Sequence, residues 1–167
     1  RGAGALGTVL GRLLVHVLEG EAVDVHDRGR EPGALKDLEA GSEAQKKEWL
    51  TRIAEGEARL TLAWTEPSAR WDAAAVTTTA RAGGPGYTLS GTKLFVPDAH
   101  VAEALVVVAR TTESKSAGEG ISLFLVERAA PGVAIRDHRT LDNLRVADIA
   151  LSGVRVGREA RLGPEGG

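Results

Sequence analysis

From residue 5 to 18 the apolar positions Leu6, Val9, Leu10, Leu13, Leu14, Val17 and Leu18 recur at three- and four-residue steps. That period places them on one broad face of a helix. Residues 19–33 are polar and marked by Gly and Pro, which reads as a loop. Ala34, Leu35 and Leu38 suggest a short helix closed by Gly41. A clearer helix entry follows. Ser42 is a capping residue, Gln45 three positions later completes the capping-box pattern, and Trp49, Leu50 and Ile53 form an apolar face that ends at Gly56.

After Glu57 the period drops to two. The candidate strands are Ala58–Trp64, Ala74–Arg81, Tyr87–Val96, Ala104–Arg110, Ile121–Glu127, Gly132–His138 and Ala147–Val156, the last of them split into two near Ser152-Gly153. Gly-rich turns separate them at 82–86, 116–120 and 129–132. Short strands with regular turn signals and no helices between them predict an antiparallel sandwich or barrel. The fold class expected is therefore α+β by segregation, with a helical N-terminal segment over 1–57 and a β domain over 58–167.

Composition narrows the function classes. With 167 residues, 43% of them hydrophobic and 26% charged, the chain can bury a real core. A net charge of −2 gives no field that argues for nucleic acid or an anionic membrane. No apolar stretch approaches the ~20 residues of a membrane span. The absence of cysteine excludes disulfides, thiol catalysis and cysteine-ligated zinc, and is compatible with the cytoplasmic location expected here. His16, His26, His100 and His138 offer no pair at helical metal-ligand spacing. The sequence starts without Met and contains none, which suggests an excerpt from a longer product.

Familiar catalytic loops are missing. Gly83-Gly84 and Gly118–Gly120 lack the Lys-Ser/Thr ending of a P-loop, and no Gly-x-Ser-x-Gly elbow occurs. Two strand ends remain unusual. One is "AWTEPSARWD" at 63–72, and the other is "LSGTKLFVPDA" at 89–99. Pro97 cannot donate a ladder hydrogen bond and should end its strand. Each stretch places a hydroxyl or an aromatic where backbone N–H groups leave the sheet. A heteroaromatic cofactor needs that combination, with its ring heteroatoms hydrogen-bonded and its face stacked. The competing structural reading makes Thr65 and Pro67 turn residues and puts Trp64, Trp71 and Phe95 in the core.

An ordered set of motifs over roughly residues 40–167 resembles the acyl-CoA dehydrogenase family. "GSEAQKKEWL" resembles its Gly-Ser-x-x-Gln-Lys helix, "TEP" its flavin-strand motif, and "GYTLSGTK" its Tyr-x-Leu-x-Gly-x-Lys hairpin. "GISLFLVE", "PGV" and "LSGVRVG" followed by "LGPEGG" resemble the later strands and the exit from the β domain. The resemblance implies an FAD-dependent oxidation of acyl-CoA thioesters to 2,3-enoyl-CoA. It also implies an acyl-CoA substrate, electron-transfer flavoprotein or a similar acceptor as partner, and homo-oligomers. In the family the β domain forms one wall of the flavin and acyl site, and a C-terminal helical bundle supplies the other wall and usually the base.

Carried over by position, the resemblance puts Leu62, Trp64 and Thr65 at the flavin's pyrimidine edge and Phe95 against the flavin. Pro97 falls where many members have a hydroxyl residue near flavin N5, and it can make no such bond. Trp71 falls on the substrate and phosphate side, where Ser is common, and Asp72 keeps the family's Asp. Gly157 stands where Pro often follows. The base would lie past Gly167, so no catalytic residue is named and this chain alone is expected not to dehydrogenate acyl-CoA. The alternative implied by Pro97 and Trp71 is a non-catalytic scaffold or heteromeric partner of the same fold.

Overall fold

The computed structural model describes residues 40–68, 73–112 and 119–166. The two helices expected before residue 39 lie outside the described residues. The first described element, α1 (Glu43–Ala54), begins as its spacing predicts. The Ser42 hydroxyl accepts the Gln45 N–H, and the Gln45 side chain accepts the Ser42 N–H at 2.7 Å. Gln45 also donates to the carbonyls of Glu159 and Arg161, which ties the start of the helix to the end of the β domain. Trp49 and Ile53 are the buried face.

The strands are β1 (Leu60–Ala63), β2 (Thr79–Gly83), β3 (Gly86–Pro97), β4 (Ala104–Arg110), β5 (Ile121–Glu127), β6 (Val133–Arg139), β7 (Arg145–Gly157) and β8 (Arg161–Leu162). They form one sheet ordered β6-β7-β3-β2-β4-β5-β8, with β1 also on β4. The α+β class stands. Most ladders are antiparallel, but β1 runs parallel to β4 over Leu60–Ala63, and β2 meets β4 in parallel at Thr79 and Arg110. Two strands therefore share one edge of β4, and the chain between them makes an excursion out of the sheet.

β4 and β5 are apolar on both sides, so they read as continuous runs rather than alternating ones. Ala104, Val106 and Val108 pack toward α1 with Trp49, Ile53, Trp64, Leu123 and Leu162. Leu105, Val107 and Ala109 pack against Tyr87, Leu89, Phe124, Ile149 and Leu151. The sheet thus curls so that β3 and β7 cover the second face of β4 and β5.

Two local differences from the sequence pattern have clear causes. Ala73–Ala75 is a 3₁₀ turn rather than strand, because Arg110 on β4 donates to the carbonyls of Ala73, Ala74 and Val76. The expected break near Ser152-Gly153 is a bulge inside one continuous strand. There the register against β3 shifts between Leu89 and Ser90, and Gly153 takes φ +67°.

Candidate functional site

The excursion between β1 and β2 is held by an acid turned inward. At Ala63 the chain leaves β4, and Glu66 points into the protein with only 3% of its surface exposed. Its carboxylate accepts the Thr77 N–H at 2.7 Å, the Thr77 hydroxyl at 2.5 Å and the Thr78 N–H at 3.0 Å. It also accepts from the Lys93 ammonium at 2.7 Å. The two ends of the excursion are thereby stapled together by one side chain. Lys93 reaches this point from β3, is fully buried, and donates as well to the Trp64 carbonyl at 3.3 Å.

Electrostatics set the charges of the pair. Burial alone would raise the Glu66 carboxyl, but the Lys93 charge and the hydrogen bonds from Lys93, Thr77 and Thr78 outweigh it and bring it from 4.5 down to about 2. Burial lowers the Lys93 ammonium from 10.5 to about 8, against the pull of Glu66. Both groups are ionised near neutral pH. A buried carboxylate with this many donors is compensated, whereas one without them would be strongly destabilising.

Next to Lys93 the ladder changes character. The Leu94 N–H donates at 2.8 Å to the Thr65 carbonyl instead of to β7. The register between β3 and β7 shifts from Lys93 to Val96, and Phe95 adopts φ +52° inside that bulge. A non-glycine residue in this region is strained. The Phe95 ring is 56% exposed and meets the His138 ring edge-on, with centroids 5.8 Å apart. Its N–H lies 3.4 Å from the Asp148 carboxylate.

The residues singled out from the sequence fall in different places. Thr65 and Phe95 are brought together across the Thr65–Leu94 bond. Thr65 is half-buried, and among the described residues its hydroxyl has no hydrogen-bond partner. The Trp64 indole is buried in the helix-side core and Leu62 packs against that core, so these two reach the strand end through their backbone alone. Pro97 ends β3, is exposed, and offers a carbonyl that accepts the Thr61 hydroxyl at 2.7 Å. Trp71 and Asp72 lie outside the described residues.

Glu66 and Lys93 are not among the site residues that the sequence motifs single out. A signal for Lys93 was present. It stands in phase with Tyr87 and Leu89, so period-two alternation aims it inward, where a charge needs a counterion.

A half-buried residue whose hydroxyl has no partner among the described residues, joined through the backbone to the neighbour of an exposed ring on strained backbone, suits a planar heteroaromatic ligand, and FAD fits that chemistry. The comparisons with known proteins agree in kind. Residues 61–154 match the family model described as acyl-CoA dehydrogenase, middle domain. A 3-(aryl)acrylate reductase of Clostridium sporogenes is 36% identical over 129 residues, covering 75% of this chain and 34% of that protein. The structure of butyryl-CoA dehydrogenase from Megasphaera elsdenii is 31% identical with a TM-score of 0.71, covering 80% of this chain and 37% of that one. A structure described as the FAD complex of PigA is 26% identical with a TM-score of 0.70, covering 80% and 37%. The chain thus spans about a third of the length of the curated relatives it matches. Since the family model covers more than half of its residues, the chain belongs to the acyl-CoA dehydrogenase family, as a middle β domain.

Proposed function

We propose that this β domain forms one wall of an FAD site in an acyl-CoA oxidoreductase. The observation that carries the reading is the Thr65–Leu94 junction, where the backbone of Thr65, whose hydroxyl has no hydrogen-bond partner among the described residues, is bonded to the residue before the exposed, strained Phe95. The Thr65 hydroxyl would hydrogen-bond the pyrimidine edge of the flavin, with backbone groups of Leu62 and Trp64 beside it. Phe95 would cover part of the ring system and exclude water there. When bound, FAD would accept the β-hydrogen and two electrons of an acyl thioester. Pro97 can donate nothing to that ring system, so its role is to end β3 and shape the rim. Trp71 would line the acyl-CoA side, where an indole can wall a pocket or donate one N–H. Electron-transfer flavoprotein or a similar acceptor, and a second copy of the full polypeptide, are the partners this reading expects.

The test uses the complete polypeptide that bears this sequence. It should purify yellow or take up added FAD. Thr65→Val keeps the shape and removes the hydroxyl, and should weaken FAD binding about fivefold, the effect of one ordinary hydrogen bond of ~1 kcal/mol. Unchanged affinity would remove Thr65 from the site.

A second reading has one specific support, the loss of a donor at Pro97. It makes the chain a non-catalytic partner of the same fold. A well-folded, colourless complete protein that ignores added FAD would favour it.

A further inference from the structure

The pair Lys93–Glu66 touches neither solvent nor the rim, yet it grips the segment that the proposed site depends on. Lys93 Nζ donates to the Trp64 carbonyl and to the Glu66 carboxylate, the residues on either side of Thr65. The next residue on β3, Leu94, donates its N–H to the carbonyl of Thr65 itself. Three consecutive residues, 64 to 66, are therefore held by two consecutive residues of β3, and the residue after those two is Phe95.

From this geometry we infer that Lys93 and Glu66 are positioning residues, which set the Thr65 hydroxyl and the Phe95 ring at a fixed separation for one flavin. This rests on the FAD reading above and deepens it. A stabilising role alone does not account for the pair. Buried ion pairs replaced by apolar groups of similar volume often leave stability unchanged or raised. An apolar pair would fill the same space, but it could not hydrogen-bond the Trp64 carbonyl or the N–H groups of Thr77 and Thr78. What the charges add is direction. The ammonium orients the strand end, and the carboxylate brings the far end of the excursion, Thr77 and Thr78, to the same point. Sites that depend on such supporting contacts lose function when they loosen by about an ångström.

The experiment compares the complete wild-type protein with the double variant Lys93→Met/Glu66→Gln, which removes both charges and keeps the volume. Three quantities are read: FAD affinity by fluorescence quenching, the shape of the bound flavin's absorption bands, and amide exchange of Leu94, whose N–H reports the junction directly. The expected result is a folded variant with FAD affinity reduced tenfold or more, broadened flavin bands, and Leu94 exchange at least tenfold faster. A folded variant with wild-type affinity, bands and Leu94 protection would overturn the inference. If the variant does not fold, the wild type decides. Adding FAD should slow Leu94 exchange and move the Lys93 side-chain amine resonance, and no response at either would also overturn it. A wild-type protein that binds no FAD brings down the cofactor reading instead, a failure visible before any variant is made.

Discussion

The ladder between β3 and β7 contains two bulges, and they are built from opposite materials. At the first, between Leu89 and Ser90, the extra residue is Gly153 at φ +67°, with nothing within 4 Å of where a Cβ would stand. Glycine takes this backbone without steric penalty, so the bulge bends the strand at little cost. At the second, between Lys93 and Val96, the positive φ belongs to Phe95, an aromatic with more than half its surface exposed. That conformation costs ~1–2 kcal/mol for a residue with a Cβ. It persists because the surroundings over-determine it: the Leu94–Thr65 bond, the Asp148 carboxylate and the buried Lys93–Glu66 pair all bear on three residues. The same device shapes the sheet in one place and presents a ring in the other. Strain retained where glycine would relieve it is the ground on which Phe95 is proposed as a site residue.

The contrast breaks most sharply at the pair beneath the second bulge. Glu66→Ala leaves the Lys93 ammonium buried without its counterion and the Thr77 and Thr78 N–H groups without an acceptor. The expected loss is ~3–5 kcal/mol in urea unfolding. Acid should mimic it. The folded Glu66 carboxyl sits at about 2 against 4.5 unfolded, so its stabilisation is complete above about pH 4.5 and is lost as pH falls toward 2. Lys93 works in the other sense. Its proton leaves the folded protein near pH 8 rather than 10.5, so between those values stability gains with pH. Urea midpoints measured from about pH 6 down to about pH 2 should fall steeply in wild type and less steeply in Glu66→Ala. Equal slopes would mean that other carboxylates, such as Asp137 and Asp142, carry the acid response.

These two regions also differ in how far the sequence disclosed them. The capping box at Ser42 and Gln45 and the strands Ala104–Arg110 and Ile121–Glu127 are local patterns, and they appear where spacing places them. Gly153 announced an irregularity, though a bulge was read as a break because glycine signals both. The second bulge left no such mark, since Phe95 looks like an ordinary strand aromatic. The Lys93–Glu66 contact joins residues 27 apart in sequence, one on β3 and one in the segment after β1, and no periodicity encodes that meeting. Parallel pairing of β1 with β4 was hidden for the same reason. It depends on which edge the excursion returns to, which Glu66 and Arg110 settle in three dimensions.

A smaller effect is expected at the first bulge. Gly153→Ala meets no atoms, so its whole cost is the backbone conformation, ~1–2 kcal/mol. FAD affinity should not change, because the site lies at the other end of the ladder. Thermal unfolding and an FAD titration on the same sample separate the two readouts. Loss of FAD binding without further unfolding would show that the bulges are coupled, and the distinction between them would weaken.

The smallest change in stability belongs to Phe95→Asn. Asn is one of the few residues with a Cβ that visits left-handed backbone readily, so part of the strain is released. Against that, the edge contact with His138 is lost, which at this exposure offsets ~0.5–1 kcal/mol. The two nearly cancel, and the unfolding midpoint should move by less than ~1 kcal/mol. FAD affinity should nonetheless fall about fivefold, the share of one aromatic contact of ~1 kcal/mol. A substitution that leaves the fold alone and weakens the ligand is the signature of a residue kept for binding. The opposite outcome, a loss of 2 kcal/mol or more (about a factor of 30 in the folding equilibrium) with FAD binding intact, would make Phe95 a structural residue. The strain at the second bulge would then need another explanation than the flavin.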